Sequence, residues 1–302
     1  MIRKVIQLAG NTLVVSLPAK WVKQYGVHKG DEVDVIQKDQ GLLVQTARTG
    51  ESGKITVDVS GRRYALKRIL GALYKVGYDE VHARFSSLVE LQQIQEVVRE
   101  AFIGFEVIDQ KKDSVTFKKV SHIEPKEFSA MVRRMFLIVI SAGEDTLAAL
   151  NNKDAQWLSA IVMRDKDVNK IADFCRRVLN TTGSQEYRRP APGYFIVEQV
   201  EKLGDQYRDI AAELAKDPIE ISAETQKLFN ETNAYFKSFY NLHNAFDLEK
   251  MDEFYEHGVK LRKELSGYFE KVPRQELRLL FSLQNIVTST LDMNGALMSV
   301  HL

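Results

Sequence analysis

The stretch Val197–Ile210 reads V-E-Q-V-E-K-L-G-D-Q-Y-R-D-I and is the most informative segment of the chain. Its apolar residues, together with those just outside it, recur at three- and four-residue spacing, which is typical of an amphipathic helix. They are Ile196, Val200, Leu203, Tyr207, Ile210 and Leu214. The stretch is therefore predicted to lie on a long helix that buries one face.

The opposite side of this helix carries four acids. At about 100° per residue they fall within an arc of roughly 80°. They are Glu198, Glu201, Asp205 and Asp209. Like charges one turn apart destabilise a helix by about 0.2–0.5 kcal/mol per pair, whereas carboxylates one turn apart can share a hard cation through their oxygens. The pattern fits either a solvated helix face or a cation site.

A second polar set precedes this helix in the chain. Asp165, Asn169 and Asp173 are spaced four residues apart in a helical pattern. Asn supplies a carbonyl oxygen without charge, so we expect this set to bind a cation more weakly. If the two helices are antiparallel neighbours, the two sets face one another.

From residue 124 onwards strand-like runs disappear and apolar residues keep helical spacing. Breaks occur at Thr182-Gly183 through Pro190 to Gly193, at Asp217-Pro218 and at Val272-Pro273. The predicted helices span 124–151, 154–181, 193–216, 220–247, 248–271 and 274–300. Long helices with short connections pack as antiparallel neighbours, and division at Pro218 predicts a six-helix, all-α bundle of two three-helix repeats.

The first 48 residues alternate short strand-like runs with turns. Four strands are predicted at Val5–Leu8, Leu13–Leu17, Val33–Ile36 and Leu42–Thr46, with a helix at Ala19–Tyr25. Such a small β-rich module cannot bury an adequate core alone, so we expect it to dimerise. It is locally basic, since no acid precedes Asp31, and a dimer would double the positive charge that can contact phosphates. The cations before Asp31 are Arg3, Lys4, Lys20, Lys23 and Lys29.

A polar linker at 49–54 leads into a segment whose strand-like runs alternate with helical patterns. Strands are predicted at Ile55–Val59, Tyr78–Phe85, Phe105–Ile108 and Val115–Val120, and helices at Tyr64–Val76 and Val89–Phe102. The order βαβαββ predicts a small two-layer domain without a catalytic motif. The chain is thus interpreted as a multidomain α+β protein with domains 1–48, 54–121 and 124–302.

Composition narrows the class of protein. The single cysteine, Cys175, excludes an intrachain disulfide and favours a reducing compartment. The longest apolar run, Phe136–Ile140, is far short of the ~20 residues that span a membrane, and no signal-peptide pattern begins the chain. We expect a cytoplasmic protein without membrane insertion. Neither a histidine metal motif nor a phosphate-binding glycine loop is present, which argues against an enzyme.

Two motifs resemble known families. Glu201-Lys-Leu-Gly-Asp205 followed by Asp209 resembles a helix signature of the PhoU family, and Asp165–Ile171 is similar to its other signature, with Asn169 where an acid is commoner. The resemblance covers about 124–302 and implies two three-helix repeats that bind a divalent or ferric ion (iron, Mn, Mg or Zn) at surface carboxylates. The assigned ligands are Glu201, Asp205, Asp209, Asp165 and Asn169. The second repeat has Thr288 where an acid is expected, so a second metal cluster is in doubt.

The N-terminal segment is similar to the AbrB/SpoVT/MazE swapped-hairpin family across residues 1–47. The motifs are Arg3-Lys4, Gly10-Asn11, Val15-Ser-Leu-Pro18 and Gly26-Val-x-x-Gly30-Asp31-Glu32-Val33. This resemblance implies an interlocked homodimer whose basic edge contacts DNA. The residues assigned to that contact are Arg3, Lys4, Asn11, Lys20 and Lys23.

The pairing of the two modules resembles archaeal phosphate-uptake regulators. It implies a regulator that acts through DNA, through a phosphate ABC transporter or signalling kinase, or through both. The alternative is an interaction scaffold whose N-terminal module only dimerises it. A metal-dependent phosphohydrolase is a third class, but no general base or nucleophile can be named for it.

Overall fold

The computed structural model describes residues 2–8, 10–38, 41–46, 53–121, 126–181 and 190–302. The chain forms two compact units, Met1–Lys54 and Ile55–Leu302. Several predicted features lie outside the described residues. They are the first two residues of the predicted helix 124–151, most of the 49–54 linker, and the break at Thr182-Gly183.

The first unit contains two separate antiparallel hairpins and a short helix. Its elements are β1 (Ile6–Gln7), β2 (Leu13–Val14), α1 (Ala19–Gln24), β3 (Val33–Lys38) and β4 (Gly41–Thr46). Gly10 adopts φ 73° in the first turn, which Leu8 N closes by donating to Thr12 O at 2.8 Å. The first two strands are shorter than predicted, because neither has a third strand beside it within the described chain.

The second unit begins with the predicted βαβαββ segment. Its elements are β5 (Lys54–Asp58), α2 (Leu66–Val76), β6 (Glu80–Arg84), α3 (Leu88–Ala101), β7 (Phe105–Gln110) and β8 (Ser114–Lys119). The strand order is β5-β6-β8-β7, and β8 is antiparallel to both β6 and β7. Apolar side chains of the strands and of α2 and α3 form one hydrophobic core, which includes Leu70, Ile94 and Phe117. We call 54–121 the α+β segment.

A helical bundle follows. It comprises α4 (Lys126–Asn151), α5 (Ala155–Thr181), α6 (Pro190–Lys216), α7 (Ala223–Asn244), α8 (Leu248–Tyr268), a 3-10 turn (Arg274–Glu276), α9 (Leu277–Asp292) and α10 (Asn294–His301). Helices α4, α5 and α6 contact one another, as do α7, α8 and α9, and α4–α7 and α6–α9 contacts join the two groups. The two predicted three-helix groups are therefore present.

The prediction of one continuous helix over 274–300 is wrong. The segment opens with the 3-10 turn and is interrupted again at Met293. At this second break the Thr290 hydroxyl donates to Ile286 O, and Met293 N turns back to Thr290 O. The hydrogen-bond ladder tightens there, because an i,i+3 bond replaces the α-helical one.

Capping residues define three helix starts: α5 and α7 begin later than predicted, at Ala155 and Ala223, and α8 begins at Leu248 as predicted. Asp154, Ser222 and Asp247 each accept a hydrogen bond from a backbone N–H three residues later. These caps satisfy amide groups that the first turn leaves unpaired. The third helix instead begins earlier than predicted, at Pro190, where a proline suits the first turn.

The α+β segment packs on the bundle through α5, which contacts both α2 and α3. Arg177, on α5, is buried and donates hydrogen bonds to the carbonyl oxygens of Tyr74, Gly77 and Tyr78 at the end of α2. The two parts keep separate hydrophobic cores within one compact unit. Division into domains at 54–121 and 124–302 stays a prediction.

Among the described helices, none combines the length and the apolar character that a membrane crossing requires.

Candidate carboxylate site and nucleic-acid surface

The apolar face predicted for α6 is buried. All of its members lie in the bundle core: Ile196, Val200, Leu203, Tyr207, Ile210 and Leu214. Gly204, inside the E-K-L-G-D signature, lets α6 approach its neighbours closely. A Cβ at this position would lie 3.2 Å from Val168 Cγ1 on α5 and 3.5 Å from Val139 Cγ2 on α4. The glycine of the signature therefore has a packing role beside its acids.

The polar sets of α5 and α6 face one another, and an arginine lies between them at each of two places. At the first, Arg208 Nη1 lies 3.0 Å from Asp165 Oδ2 and also contacts Asp205. Arg208 Nη2 lies 2.8 Å from Asp209 Oδ1. We call these four residues the Arg208 cluster. It joins two acids of α6 to one of α5.

At the second place, Arg176 Nη1 donates to Asp173 Oδ1 at 2.8 Å and Arg176 Nη2 donates to Glu201 Oε2 at 3.0 Å. Arg176 Nε lies 2.7 Å from Glu198 Oε2. We call these four residues the Arg176 cluster. Lys75 of α2 lies 3.4 Å from Asp173 and extends the cluster to the α+β segment.

Guanidinium groups neutralise part of the repulsion among these acids, so its relief does not require a bound cation alone. Sequence reasoning missed both arginines. The signal was available, since Arg176 follows Asp173, and Arg208 follows Asp205, by three residues, a spacing at which helical side chains meet. Within the described part of the chain, the ion-pair partners of these six carboxylates are Arg176, Arg208 and Lys75.

Burial and neighbouring carboxylates both raise the pKa values of two acids at this site. Burial raises the pKa of Glu201; Arg176 opposes this effect, and Asp205 adds to it. Burial likewise raises the pKa of Asp205. The Arg208 guanidinium lowers this pKa, and the Asp165 carboxylate raises it further. Both acids therefore take up a proton more readily than free carboxyl groups do.

Asp165 is the most buried of these acids, with 8% of its surface exposed. Its Oδ2 accepts from Asn169 Nδ2 at 2.9 Å and from Arg208. Its Oδ1 and Asn169 Oδ1 are buried and have no hydrogen-bond partner among the described residues. Two oxygen acceptors are thus left without a donor beside Arg208.

Oxygen donors of this kind suit a hard cation. As the side chains stand, however, no three carboxylate, histidine or cysteine groups in the described part of the chain converge as a metal-binding group. Arg208 lies among the oxygens of Asp165, Asp205 and Asp209. The residues fit a cation in their chemistry, and such an ion would compete with Arg208.

The assigned nucleic-acid residues lie in the first unit and are all exposed. Arg3 and Lys4 lead into β1, Asn11 lies in the hairpin turn, and Lys20 and Lys23 lie on α1. None of the four cations forms an ion pair with another described residue. The positive charge of this unit is available to a partner.

The comparisons with known proteins concern both units. Residues 6–52 match the family described as "Antidote-toxin recognition MazE, bacterial antitoxin", which confirms the predicted MazE-like module. No curated protein matches the chain. The chain is similar to a crystal structure of "the phosphate transport system regulatory protein PhoU from Streptococcus pneumoniae", with 15% identity and a TM-score of 0.46, over 59% of this chain and 94% of the other.

Proposed function

We propose that the protein is a regulator that binds duplex DNA through a dimer of its first unit. The supporting observation is the state of that unit in a single chain: no side chain described up to Lys54 is buried. Apolar side chains are instead widely exposed, among them Ile6, Leu8, Leu13, Val15 and Leu42. A module without a core needs a second copy to cover these side chains. The match to MazE antitoxins supports the same arrangement.

The exposed cations supply the affinity for DNA in this proposal. Arg3, Lys4, Lys20 and Lys23 have no acidic partner among the described residues, so they can release counterions from phosphate. In a dimer each contact occurs twice, which doubles the number of phosphates contacted by one assembly. Asn11, in the turn, would add a neutral hydrogen-bonding group beside them.

The test is DNA binding by the full-length protein as a function of salt. The logarithm of the binding constant should fall linearly with the logarithm of salt, by about 0.9 for each phosphate contacted. Replacing Arg3 and Lys4 by Ala should flatten this slope. The matched control replaces Arg133 and Arg134, an exposed pair on α4, by Ala and should leave the slope unchanged. A dimer that binds no DNA at low salt would favour the scaffold alternative.

We also propose that Asp165, Asn169, Glu201, Asp205 and Asp209 hold a divalent or ferric ion. The supporting observations are the unpartnered oxygens of Asp165 and Asn169 and the excess of carboxylates over arginines. An ion that binds only the folded state should raise the melting temperature of chelator-treated protein. Asp205→Asn with Asp209→Asn should abolish that response to Mn²⁺, Mg²⁺ or iron. An equal response in parent and variant would contradict the assignment, and metal-stimulated phosphatase turnover would support the phosphohydrolase alternative.

The regulated process proposed is phosphate uptake, and this step rests on the PhoU-like signatures Glu201–Asp209 and Asp165–Ile171. The partner would be a phosphate transporter or its signalling kinase. Deleting the gene in the native host should alter phosphate uptake at limiting phosphate. Unaltered uptake together with retained DNA binding would assign the regulator to another process.

A further inference from the structure

Three loops meet at one edge of the sheet in the α+β segment. Val59 N, after β5, donates to Arg84 O at the end of β6 at 2.9 Å, and Phe85 N donates to Asp113 O in the β7–β8 turn at 3.0 Å. Residues 59–65, 85–89 and 111–113 therefore lie together. We call them the loop edge.

A buried carboxylate holds two of these loops in place. Glu90, at 6% exposure, accepts hydrogen bonds from Gly61 N at 2.7 Å, Ser86 N at 2.7 Å and Ser87 N at 3.0 Å. In the loop before α2, Arg62 O accepts from Ala65 N and Leu66 N. The loop edge is thus preorganised, and its exposed side chains project from a fixed backbone.

Three apolar side chains of the loop edge are unusually exposed. Tyr64 is 90% exposed, the highest value for a large apolar side chain described in Ile55–Leu302, and Leu88 is 74% exposed. Val89 follows at 57%. Scattered exposed apolar residues need no explanation, but these three lie on the loop before α2 and on the first turn of α3, which one carboxylate ties together.

Exposed cations lie on or next to the same segments. Arg62, Arg63 and Arg84 are exposed, and Arg63 lies over the Tyr64 ring with Cζ 5.8 Å from the ring centroid. Lys111 and Lys112 are exposed in the third loop. The acids at this edge are fewer: Asp58, Asp109 and Asp113 are exposed, and Glu90 is occupied by backbone amides. Asp109 Oδ2 lies 3.8 Å from Lys111 Nζ, which leaves the arginines and Lys112 as the cations available to a partner. The loop edge combines apolar tips with net positive charge.

We propose that the loop edge is a peripheral membrane-binding surface: Tyr64, Leu88 and Val89 enter the headgroup region, and the surrounding arginines and lysines pair with anionic lipid phosphates. Surface-bound proteins use this combination of a few apolar side chains with basic residues. Contact with DNA phosphates would leave exposed Leu and Val without a partner. A stable protein interface covers about 800 Å² on each side, which a few side chains on projecting loops do not provide.

The experiment is sedimentation of the full-length protein with vesicles of phosphatidylcholine alone or mixed equally with phosphatidylglycerol. We expect binding to the mixed vesicles only, weakened by salt. Arg62→Gln with Arg63→Gln should lower the partition coefficient about 30-fold, since each basic residue near an anionic surface is worth about 1 kcal/mol. Leu88→Ser with Val89→Ser should lower it about tenfold through lost apolar burial.

Matched variants separate this surface from the rest of the molecule. Val76→Ser with Val120→Ser changes exposed apolar residues at the opposite end of the α+β segment, and Arg133→Gln with Arg134→Gln changes an exposed arginine pair on α4. Both should bind vesicles as the parent does. Arg3→Ala with Lys4→Ala should also retain vesicle binding, whatever it does to DNA binding.

Three results would overturn the proposal. One is absence of binding to the mixed vesicles. Another is loss of vesicle binding only in Arg3→Ala with Lys4→Ala, which would assign the contact to the first unit. The third is a combination of findings: vesicle binding depends on the loop-edge arginines, is unchanged by Leu88→Ser with Val89→Ser, and is inhibited by duplex DNA. That combination would make the loop edge a nucleic-acid surface instead.

Discussion

Arg208 Nη1 lies 3.0 Å from Asp165 Oδ2, and this contact ties the acidic face of α6 to a buried acid of α5. The Asp165 side chain is 7% exposed and that of Arg208 is 31% exposed. Arg208 thus occupies the position that the sequence assigned to a bound cation, and it connects the stability of the bundle to any ion that binds there.

Replacing Arg208 by Met should destabilise the protein by about 3 kcal/mol, because it leaves a buried carboxylate without its charged partner. Chemical denaturation measures the change. Asp165→Asn in the same chain should restore much of the loss. If Asp165 binds a cation, Mn²⁺ should raise the melting temperature of Arg208→Met more than that of the parent. An equal rise in both proteins would mean that Arg208 and the ion do not share a site.

Replacing Arg177 by Met should loosen the α+β segment from the bundle. Arg177 donates to the carbonyl oxygens of Tyr74, Gly77 and Tyr78 and lies 2.5 Å from Asp79 Oδ1. The substitution leaves the carbonyl oxygens without their donor, for a loss of about 1–3 kcal/mol. Hydrogen exchange should accelerate in α2 and β6 more than in α7–α9. Arg133→Met, at an exposed site, is the control and should exchange as the parent does. Acceleration of exchange in Arg177→Met that is equal in all helices would refute the local role.

Replacing Leu13 by Asp should shift the full-length protein from dimer to monomer. Leu13 is 67% exposed in one chain, and in the proposed dimer it lies among apolar side chains of the partner copy, where a charge is costly. Sedimentation equilibrium measures the association. Leu248→Asp, at a residue 60% exposed on α8, is the control. Retention of the dimer by Leu13→Asp would place the interface elsewhere.

The protein should lose stability as pH falls from about 6.5 to 4 through His243. Burial lowers the pKa of His243 from 6.5 to about 4, so within this range the unfolded chain binds a proton that the folded protein rejects. The loss is about 3 kcal/mol at most over the whole range. Above pH 6.5 both states are neutral and the effect vanishes.

His243→Phe should flatten this dependence, and its ring can pack on Phe136, whose centroid lies 5.1 Å from that of His243. His257→Phe, at an exposed site, is the control. An unchanged slope in the His243 variant would assign the acid sensitivity to other groups.

Local sequence determined most of the elements and their order. The βαβαββ pattern, the buried face of α6 and the long bundle helices follow from apolar periodicity, which reports which side of an element is buried. Helix ends were less accurate because capping by Asp154 and Ser222 acts over three residues and competes with continued periodicity. The apolar spacing continues through Met293, so the sequence did not predict the interruption there.

The candidate site shows the same division. Spacing along α6 placed Glu201, Asp205 and Asp209 on one face, and this depends only on helical geometry. The i,i+3 spacing indicates the Asp173–Arg176 and Asp205–Arg208 pairs. Only the tertiary structure shows that each arginine bridges acids from both α5 and α6. It also decided that Glu90 holds the loop edge together, since its partners Gly61 and Ser86 belong to different loops. Charge patterns in a sequence show which groups share a face, but which opposite charge reaches them depends on how the helices pack.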